Sequence, residues 1–315
     1  MTRIAAIDVG TNSVRMYVAE KVDGGLQHVE RDLLVTRLGQ GVDSKKRLGK
    51  APLTRTLNAI ARYHARASEL GAERIRIAAT SAVRDATNRD AFFDGVRGRT
   101  GLDAEVLTGE EEARLSFLGA TNDLSEGGPY LVLDIGGGST EFVRGDRKRE
   151  AWISIDIGSV RLTERHIRSD PPAPAQMKAV VADADEAVRR AKEVVGESAR
   201  TLVGLAGTIT TVAAVALGLK RYDRAAIHHA RINIDTIRSI DAMLYEMTVE
   251  QRKALPVMPR GREDVIAAGS TILRRVMEGF GFGEVLVSEA DILDGLALDL
   301  LLKASRFPAR KPEES

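Results

Sequence analysis

The chain has 315 residues, 43% of them hydrophobic and 4% aromatic, which is enough to bury a sizeable core in two domains. It contains no cysteine, which excludes a disulfide framework, a thiolate zinc site and a cysteine nucleophile. The 46 basic and 45 acidic residues leave a net charge of +1, so no overall field favours a specific nucleic-acid partner.

The chain begins with a strand, a glycine turn and a second strand. Residues 4–8 form an apolar run that ends in Asp8, and residues 14–20 return to a strand pattern. The turn between them is polar and consists of Gly10, Thr11, Asn12 and Ser13. This pattern predicts a β-hairpin with an acid at the base of its turn.

The same unit recurs in the second half of the chain. Residues 130–134 form an apolar strand that ends in Asp134, and residues 140–144 form the returning strand. The turn consists of Gly136, Gly137, Gly138 and Ser139. The acid, the first glycine and the serine hold the same places in both turns, which indicates an internal duplication.

Two strand-to-helix junctions are also duplicated, in the same order. In the first kind, the strands at residues 74–79 and 201–205 lead into small or hydroxyl residues at a helix start. In the second kind, the strands at residues 104–107 and 284–287 lead into the spacing of a capping box, which is Thr108 with Glu111 and Ser288 with Asp291. Three duplicated pairs predict an α/β fold of two related domains that face each other across a cleft.

The domain boundary is predicted where turn-forming residues cluster, at residues 121–129. We therefore expect an N-terminal domain at residues 1–123 and a C-terminal domain at residues 124–295. A last helix is predicted from about residue 292, and we expect its segment 296–312 to pack back on the first domain. A homodimer is a further expectation.

Two features favour a cytoplasmic location without a membrane partner. The N-terminal residues follow a strand pattern and lack the charged region, apolar core and cleavage site of a secretory signal. The longest apolar run, residues 203–219, is broken by glycines and is shorter than the ~20 residues that span a bilayer.

The two glycine turns are suited to bind phosphate, because glycine lets backbone N–H groups approach an anion closely. A single turn of this kind is more often only a hairpin, but two facing turns can hold a phosphate chain from both sides. Asp8 and Asp134 offer the oxygen ligands that a magnesium ion prefers. The cleft is therefore predicted to bind an anion and a cation together.

Three adjacent glutamates begin the helix after residue 108. Glu110 and Glu111 are expected to cap the helix, because carboxylates interact favourably with the positive end of the helix dipole. Glu112 lies further into the helix, where capping does not explain it. It is the candidate carboxylate for orienting an attacking water.

Other charged residues carry weaker signals. Arg15 and Arg84 follow the first turn and the first junction, where a guanidinium can neutralise phosphate, although arginines at such positions are more often solvated. His228 and His229 are adjacent, so in a regular strand their rings would point to opposite faces. That geometry argues against joint metal ligation.

Five segments together resemble the exopolyphosphatase and guanosine pentaphosphate phosphohydrolase family. They are DVGTNSVR from Asp8, TSAVRDA from Thr80, GEEEAR from Gly109, DIGGGSTE from Asp134 and GLAGTITT from Gly204. The resemblance covers nearly the whole chain. It implies two actin-like, ribonuclease H-like domains and the hydrolysis of a terminal phosphoanhydride with Mg²⁺ or Mn²⁺.

Residue by residue, the resemblance implies Glu112 and Glu141 as catalytic acids, and Asp8, Asp134 and Glu141 as metal ligands. The implied phosphate-binding residues are Gly10, Thr11, Asn12, Ser13, Arg84, Gly136, Gly137, Gly138, Ser139, Gly207 and Thr208. Leu293 stands where many relatives have an arginine, which removes a cation from the substrate side.

We therefore expect an exopolyphosphatase that releases terminal phosphate from inorganic polyphosphate. The alternative is hydrolysis of guanosine pentaphosphate, which the sequence cannot separate because both substrates contain the same type of anhydride. A sugar kinase on the same fold would need an acceptor-binding domain and an adenine pocket, for which the chain has little room. A non-catalytic polyphosphate or nucleotide sensor is disfavoured, because Glu112 and Glu141 would add negative charge facing a polyanion.

Overall fold

The computed structural model describes residues 2–22, 25–124, 128–146 and 149–306, which form two α/β halves. The first half contains β1 (Arg3–Val9), β2 (Ser13–Val22), β3 (Gly25–Val35), α1 (Val42–Lys45), α2 (Lys50–Glu69), β4 (Ala72–Ala79), α3 (Ser81–Arg84), α4 (Asp90–Thr100), β5 (Ala104–Val106) and α5 (Gly109–Thr121). Parts of two expected segments, residues 125–127 and 307–312, lie outside the described residues.

The second half repeats this order with additional helices. It contains β6 (Tyr130–Ile135), β7 (Thr140–Gly145), β8 (Arg149–Ile155), α6 (Ser159–His166), α7 (Pro174–Val195), β9 (Thr201–Leu205), α8 (Ala206–Ala216), α9 (Arg224–Ile227), β10 (Arg231–Asn233), α10 (Ile234–Glu246), α11 (Val249–Lys253), α12 (Ile266–Phe280), β11 (Glu284–Val287) and α13 (Ile292–Arg306). No helix among the described residues is long and apolar enough to cross a membrane.

The two sheets confirm the predicted duplication. The first has the strand order β3-β2-β1-β4-β5, and the second, read from its opposite edge, has the order β8-β7-β6-β9-β11-β10. In both, three antiparallel strands are followed by two strands parallel to the first strand of the half. Asp8 lies opposite Arg15 in one sheet, and Asp134 lies opposite Glu141 in the other.

Most of the strands that the sequence predicted lie in the interior of the sheets, and β5 is the exception at the edge of the first sheet. Strands β1 and β6 are buried on both faces, which is why they read as continuous apolar runs. Strands β3 and β8 were not predicted. Both are largely half-exposed and carry charged residues, as edge strands commonly do, so their hydrophobic pattern is weak.

Helix α5 lies between the two sheets and contacts both halves. Its Leu115 packs with Ile4 of β1 and with α13, while Phe117 packs on Tyr130 and Val132 of β6. Helices α2 and α4 cover the opposite face of the first sheet. The position of α5 therefore depends on the packing of both domains.

Helices α5 and α13 cross with their backbones in contact. A Cβ atom at Gly119 would lie 1.9 Å from the carbonyl oxygen of Asp291, and one at Gly295 would lie 2.0 Å from that of Leu115. Only glycine fits at these two positions. The crossing fixes α13 beside the first sheet and brings Asp291 to the cleft.

The structure corrects one predicted helix start. Thr108 and Glu111 form the expected capping box at α5. At α13, however, the box is formed by Asp291, which accepts from Leu293 N, and Asp294, which accepts from Asp291 N. The predicted box at Ser288 is wrong, because the Ser288 hydroxyl instead closes a turn with Ala290.

Candidate active site

A cavity of about 560 Å³ lies between the two halves, where the turn of β1–β2 faces the turn of β6–β7. It brings together thirteen of the predicted site residues: Asp8, Gly10, Thr11, Asn12, Ser13, Glu112, Asp134, Gly136, Gly137, Ser139, Glu141, Gly207 and Thr208. Arg84 and Gly138 are not among the residues that line it. Segments far apart in the chain thus form one site.

The two glycine turns contain the same backbone hydrogen bond, and the second turn packs against the first. Gly10 N donates to Ser13 O at 2.9 Å, and Gly136 N donates to Ser139 O at 3.0 Å. A Cβ at Gly137 would lie 3.0 Å from the Cβ of Thr11. The glycine therefore allows the second turn to approach Thr11 of the first domain closely.

Other loop residues connect the two halves. The Asn12 side chain donates to Gly261 O at 3.2 Å, and Thr11 Oγ1 lies 2.8 Å from the hydroxyl of Ser81. Gly138 contacts this same pair, because a Cβ there would lie 2.6 Å from Ser81 Oγ. Gly138, within the second turn, therefore packs against Thr11 and Ser81 of the first half.

Three carboxylates are buried together at the cleft: Glu112, Asp134 and Glu141. Burial raises the pKa of Glu112 well above its usual range, and the charge of Glu141 raises it further. Burial, followed by the charge of Glu141, raises the pKa of Asp134 to about 8. Burial also raises the pKa of Glu141. Such a cluster favours a bound cation, which would compensate the ionised acids.

Glu112 is held without a hydrogen bond. Both of its carboxylate oxygens are buried and have no hydrogen-bond partner among the described residues. Arg84 Nη1 lies 3.1 Å from Oε2, which is an ion-pair contact, and it also donates a hydrogen bond to Leu107 O. Glu112 is therefore left with unused acceptor capacity inside the site.

Arg15 is a half-buried ion-pair partner, which corrects the expectation of a solvated side chain. It donates from Nε and Nη2 to Asp8 Oδ2, at 3.0 and 2.7 Å, and also pairs with Asp291. Asp8 Oδ1 is buried without a partner in the described chain. Asp8 Oδ1 therefore keeps its acceptor capacity at the base of the first turn.

Arg262 lines the cavity, and the sequence did not predict it as a site residue. Its guanidinium lies against Gly207, where a Cβ would come within 2.1 Å of Nη2, and donates to Thr211 Oγ1 at 3.0 Å. It pairs with no carboxylate in the described part of the chain. Burial, with the charge of Arg15, lowers its pKa to about 10. No local pattern distinguishes this arginine from others in the sequence.

The structure places His228 and His229 on the same side of the chain, so the expected opposite orientation is wrong. His229 has a left-handed backbone, with φ of 62°, and the two rings stack at 3.8 Å. His228 Nδ1 accepts from Glu289 N at 3.1 Å, so Nε2 of the neutral ring carries the proton and donates to Asp123 Oδ2 at 2.8 Å. This pattern uses both nitrogens of His228 for hydrogen bonds.

The fold and the site define a two-domain actin-like protein with two facing glycine turns and an acidic cleft. The chain belongs to the Ppx/GppA phosphatase family, which it matches over residues 17–304. The family resemblance seen in the sequence is therefore confirmed. Phosphatases of this family generally depend on a divalent metal.

The chain is 44% identical to exopolyphosphatase 2 of Mycobacterium tuberculosis, over 95% of this chain and 99% of that protein. A solved structure of an exopolyphosphatase-like protein has a TM-score of 0.91 at 37% identity, and covers 96% of this chain and 99% of the other. Guanosine-5'-triphosphate,3'-diphosphate pyrophosphatase of Photobacterium profundum is 26% identical and is matched over 98% of this chain but 61% of its own length.

Proposed function

We propose that this protein is an exopolyphosphatase that releases the terminal phosphate of inorganic polyphosphate by in-line attack of water. The observation that carries the proposal is the Glu112 carboxylate, buried and without hydrogen-bond partners in a cleft between two glycine turns. The relative that is 44% identical over 99% of its length is named an exopolyphosphatase, whereas the pyrophosphatase relative is 26% identical, and this difference supports polyphosphate as the substrate.

In this proposal the chain acts mainly by positioning and electrostatics, as phosphoryl transfer requires. Backbone N–H groups of the turns at residues 10–13 and 136–139 bind the phosphate oxygens. Glu112 accepts a hydrogen bond from the attacking water and then its proton. Its raised pKa suits a base that must hold that proton once the water has reacted.

Asp8, Asp134 and Glu141 would hold a divalent cation, which we propose is Mg²⁺, with Mn²⁺ as the alternative. When bound, this ion neutralises charge on the phosphate oxygens. The support is the unpartnered Asp8 Oδ1 and the raised pKa values of the two buried acids. Carboxylate oxygens are the ligands that these ions prefer.

Guanosine pentaphosphate is the second candidate substrate, because relatives named as pyrophosphatases of that nucleotide match nearly the whole of this chain. Leu293, at the position of the family arginine, is fully buried among apolar residues. The cation that many relatives have at this position is thus replaced by an apolar side chain, which supplies no charge to either substrate.

Glu112→Gln tests the central claim. We expect phosphate release to fall about 10²- to 10⁴-fold, because the variant loses its general base, while polyphosphate binding is retained. Glu110→Gln is the matched control, because Glu110 is on the same helical turn, exposed and paired with Arg149 at 2.9 Å. Turnover near the wild-type rate in Glu112→Gln would remove this residue from the mechanism.

A substrate panel ranks the candidates. Polyphosphates of defined length, guanosine pentaphosphate and ATP are compared with Mg²⁺, with Mn²⁺ and with chelator. Faster hydrolysis of the nucleotide than of polyphosphate would reverse our substrate assignment, and full activity in chelator would refute the cation site. The expected cytoplasmic location and homodimer are tested by cell fractionation and by sedimentation velocity.

A further inference from the structure

Two serine hydroxyls donate to the carboxylates that we assign to the cation. Ser116 Oγ donates to Asp134 Oδ2 at 2.8 Å, and Ser154 Oγ donates to Glu141 Oε1 at 2.7 Å. Ser116 is fully buried, so this bond does not compete with bulk water. Each of these carboxylates therefore accepts a hydrogen bond from a serine hydroxyl, and Ser139 also bonds to Glu141.

Both serines are also tied to the helix that carries Glu112. Ser116 follows Glu112 by four residues in α5, so the two side chains lie on the same face of the helix. Ser154, on β8, lies against the first residue of α5, because a Cβ at Gly109 would lie 2.8 Å from the Ser154 Cβ. The helix with the water-orienting acid is thus fixed against both serine–carboxylate pairs.

A hydrogen bond from a serine hydroxyl restricts rotation of the carboxylate that accepts it. Asp134 and Glu141 both line the cavity, so the restriction determines how they are presented to a cation. Partners that orient metal ligands in this way generally affect metal affinity by about 10- to 100-fold.

We infer that Ser116 and Ser154 are positioning residues that set the cation affinity of the site by fixing the carboxylates of Asp134 and Glu141. The inference rests on the proposed function, in which these two acids hold a divalent cation. Neither serine is among the residues that line the cavity. Their loss should therefore weaken cation binding without an equal effect on polyphosphate binding.

The test is Mn²⁺ binding to the full chain without substrate, measured by electron paramagnetic resonance of the free ion. Ser116→Ala and Ser154→Ala should each weaken Mn²⁺ binding by about 10- to 100-fold. In activity assays the Mn²⁺ concentration for half-maximal rate should rise, while KM for polyphosphate at saturating Mn²⁺ stays within twofold of the wild-type value.

Ser270→Ala is the matched control. Ser270 is also fully buried and donates to a carboxylate, Asp241 Oδ1 at 2.7 Å, but that carboxylate does not line the cavity. It should lower the melting temperature and leave Mn²⁺ affinity unchanged. If the two cleft variants behave like this control, their role is structural only and the inference is overturned.

The cation site and the serine inference can fail separately. A wild-type protein that binds no Mn²⁺ would overturn both the proposed cation site and this inference. Wild-type binding that is lost in Asp134→Asn but unchanged in the serine variants would overturn the inference alone. The proposed phosphatase function would then stand.

Discussion

Replacing Gly119 by alanine tests whether the helix crossing controls the active site. The added Cβ would lie 1.9 Å from the carbonyl oxygen of Asp291, whereas real Cβ atoms essentially never approach closer than 3.0 Å. Helix α13 must therefore move by about 1 Å, because the obstacle is backbone and cannot rotate away. Overpacking of this kind costs about 1–3 kcal/mol of unfolding free energy.

The displacement should also reach the cleft. Asp291 pairs with Arg15, and Arg15 holds Asp8 at the base of the first turn. A misplacement of about 1 Å in such a site can lower activity about 10²-fold. We therefore expect Gly119→Ala to lose both stability and kcat/KM for polyphosphate.

Urea unfolding followed by circular dichroism, together with phosphate release, measures the two effects. Gly98→Ala is the control, because Gly98 is exposed within α4 and a Cβ there meets nothing within 4 Å. That variant should gain about 0.5–1 kcal/mol from the better helix former and keep its activity. The reasoning is refuted if Gly119→Ala unfolds within 0.5 kcal/mol of the wild type, a margin well below the overpacking cost.

Two further predictions concern the ion pair between the domains and the buried acids. Arg161 is buried and pairs with Asp43 and Asp85 of the first domain. Arg161→Ala should cost about 3 kcal/mol in urea unfolding, because among the described residues it leaves Asp85 without an ion-pair partner and Asp43 with only the more exposed Arg165 and Lys46. Arg189→Ala on the exposed face of α7 should change nothing measurable. Because the pKa of Asp134 is raised from 3.8 to about 8 in the folded state, its ionisation destabilises the cation-free protein as the pH rises through that range. Asp134→Asn should therefore be more stable than the wild type at pH 8 in chelator and equally stable near pH 4, and a constant difference at both pH values would contradict the shift.

Much of the fold could be predicted because the repeated units are local. In each hairpin the acid, the glycine turn and both strands lie within about twenty consecutive residues, so their pattern is visible in the sequence. Glu112 could be singled out because capping accounts for Glu110 and Glu111 but not for a third acid. Its catalytic role came from the resemblance and stays a proposal.

The edge strands β3 and β8 and the orientation of two adjacent histidine side chains could not be predicted. Strands β3 and β8 are half-exposed and lack a strong apolar pattern. The left-handed backbone of His229 reverses the usual alternation of neighbouring side chains, and no glycine or proline announces it. A reading based on regular strand geometry therefore placed the two histidines on opposite faces.

The sequence by itself determined the duplicated α/β domains, the two glycine turns and the acids beside them, because hydrophobic patterns and turn-forming residues are visible within short segments of the chain. Only the tertiary structure decided which charges pair. Arg15 meets Asp291, 276 positions away, and Ser116 reaches Asp134 on the other domain's central strand. These contacts depend on how α5 and α13 cross between the domains, and that packing brings together side chains whose local sequence carries no sign of their partners.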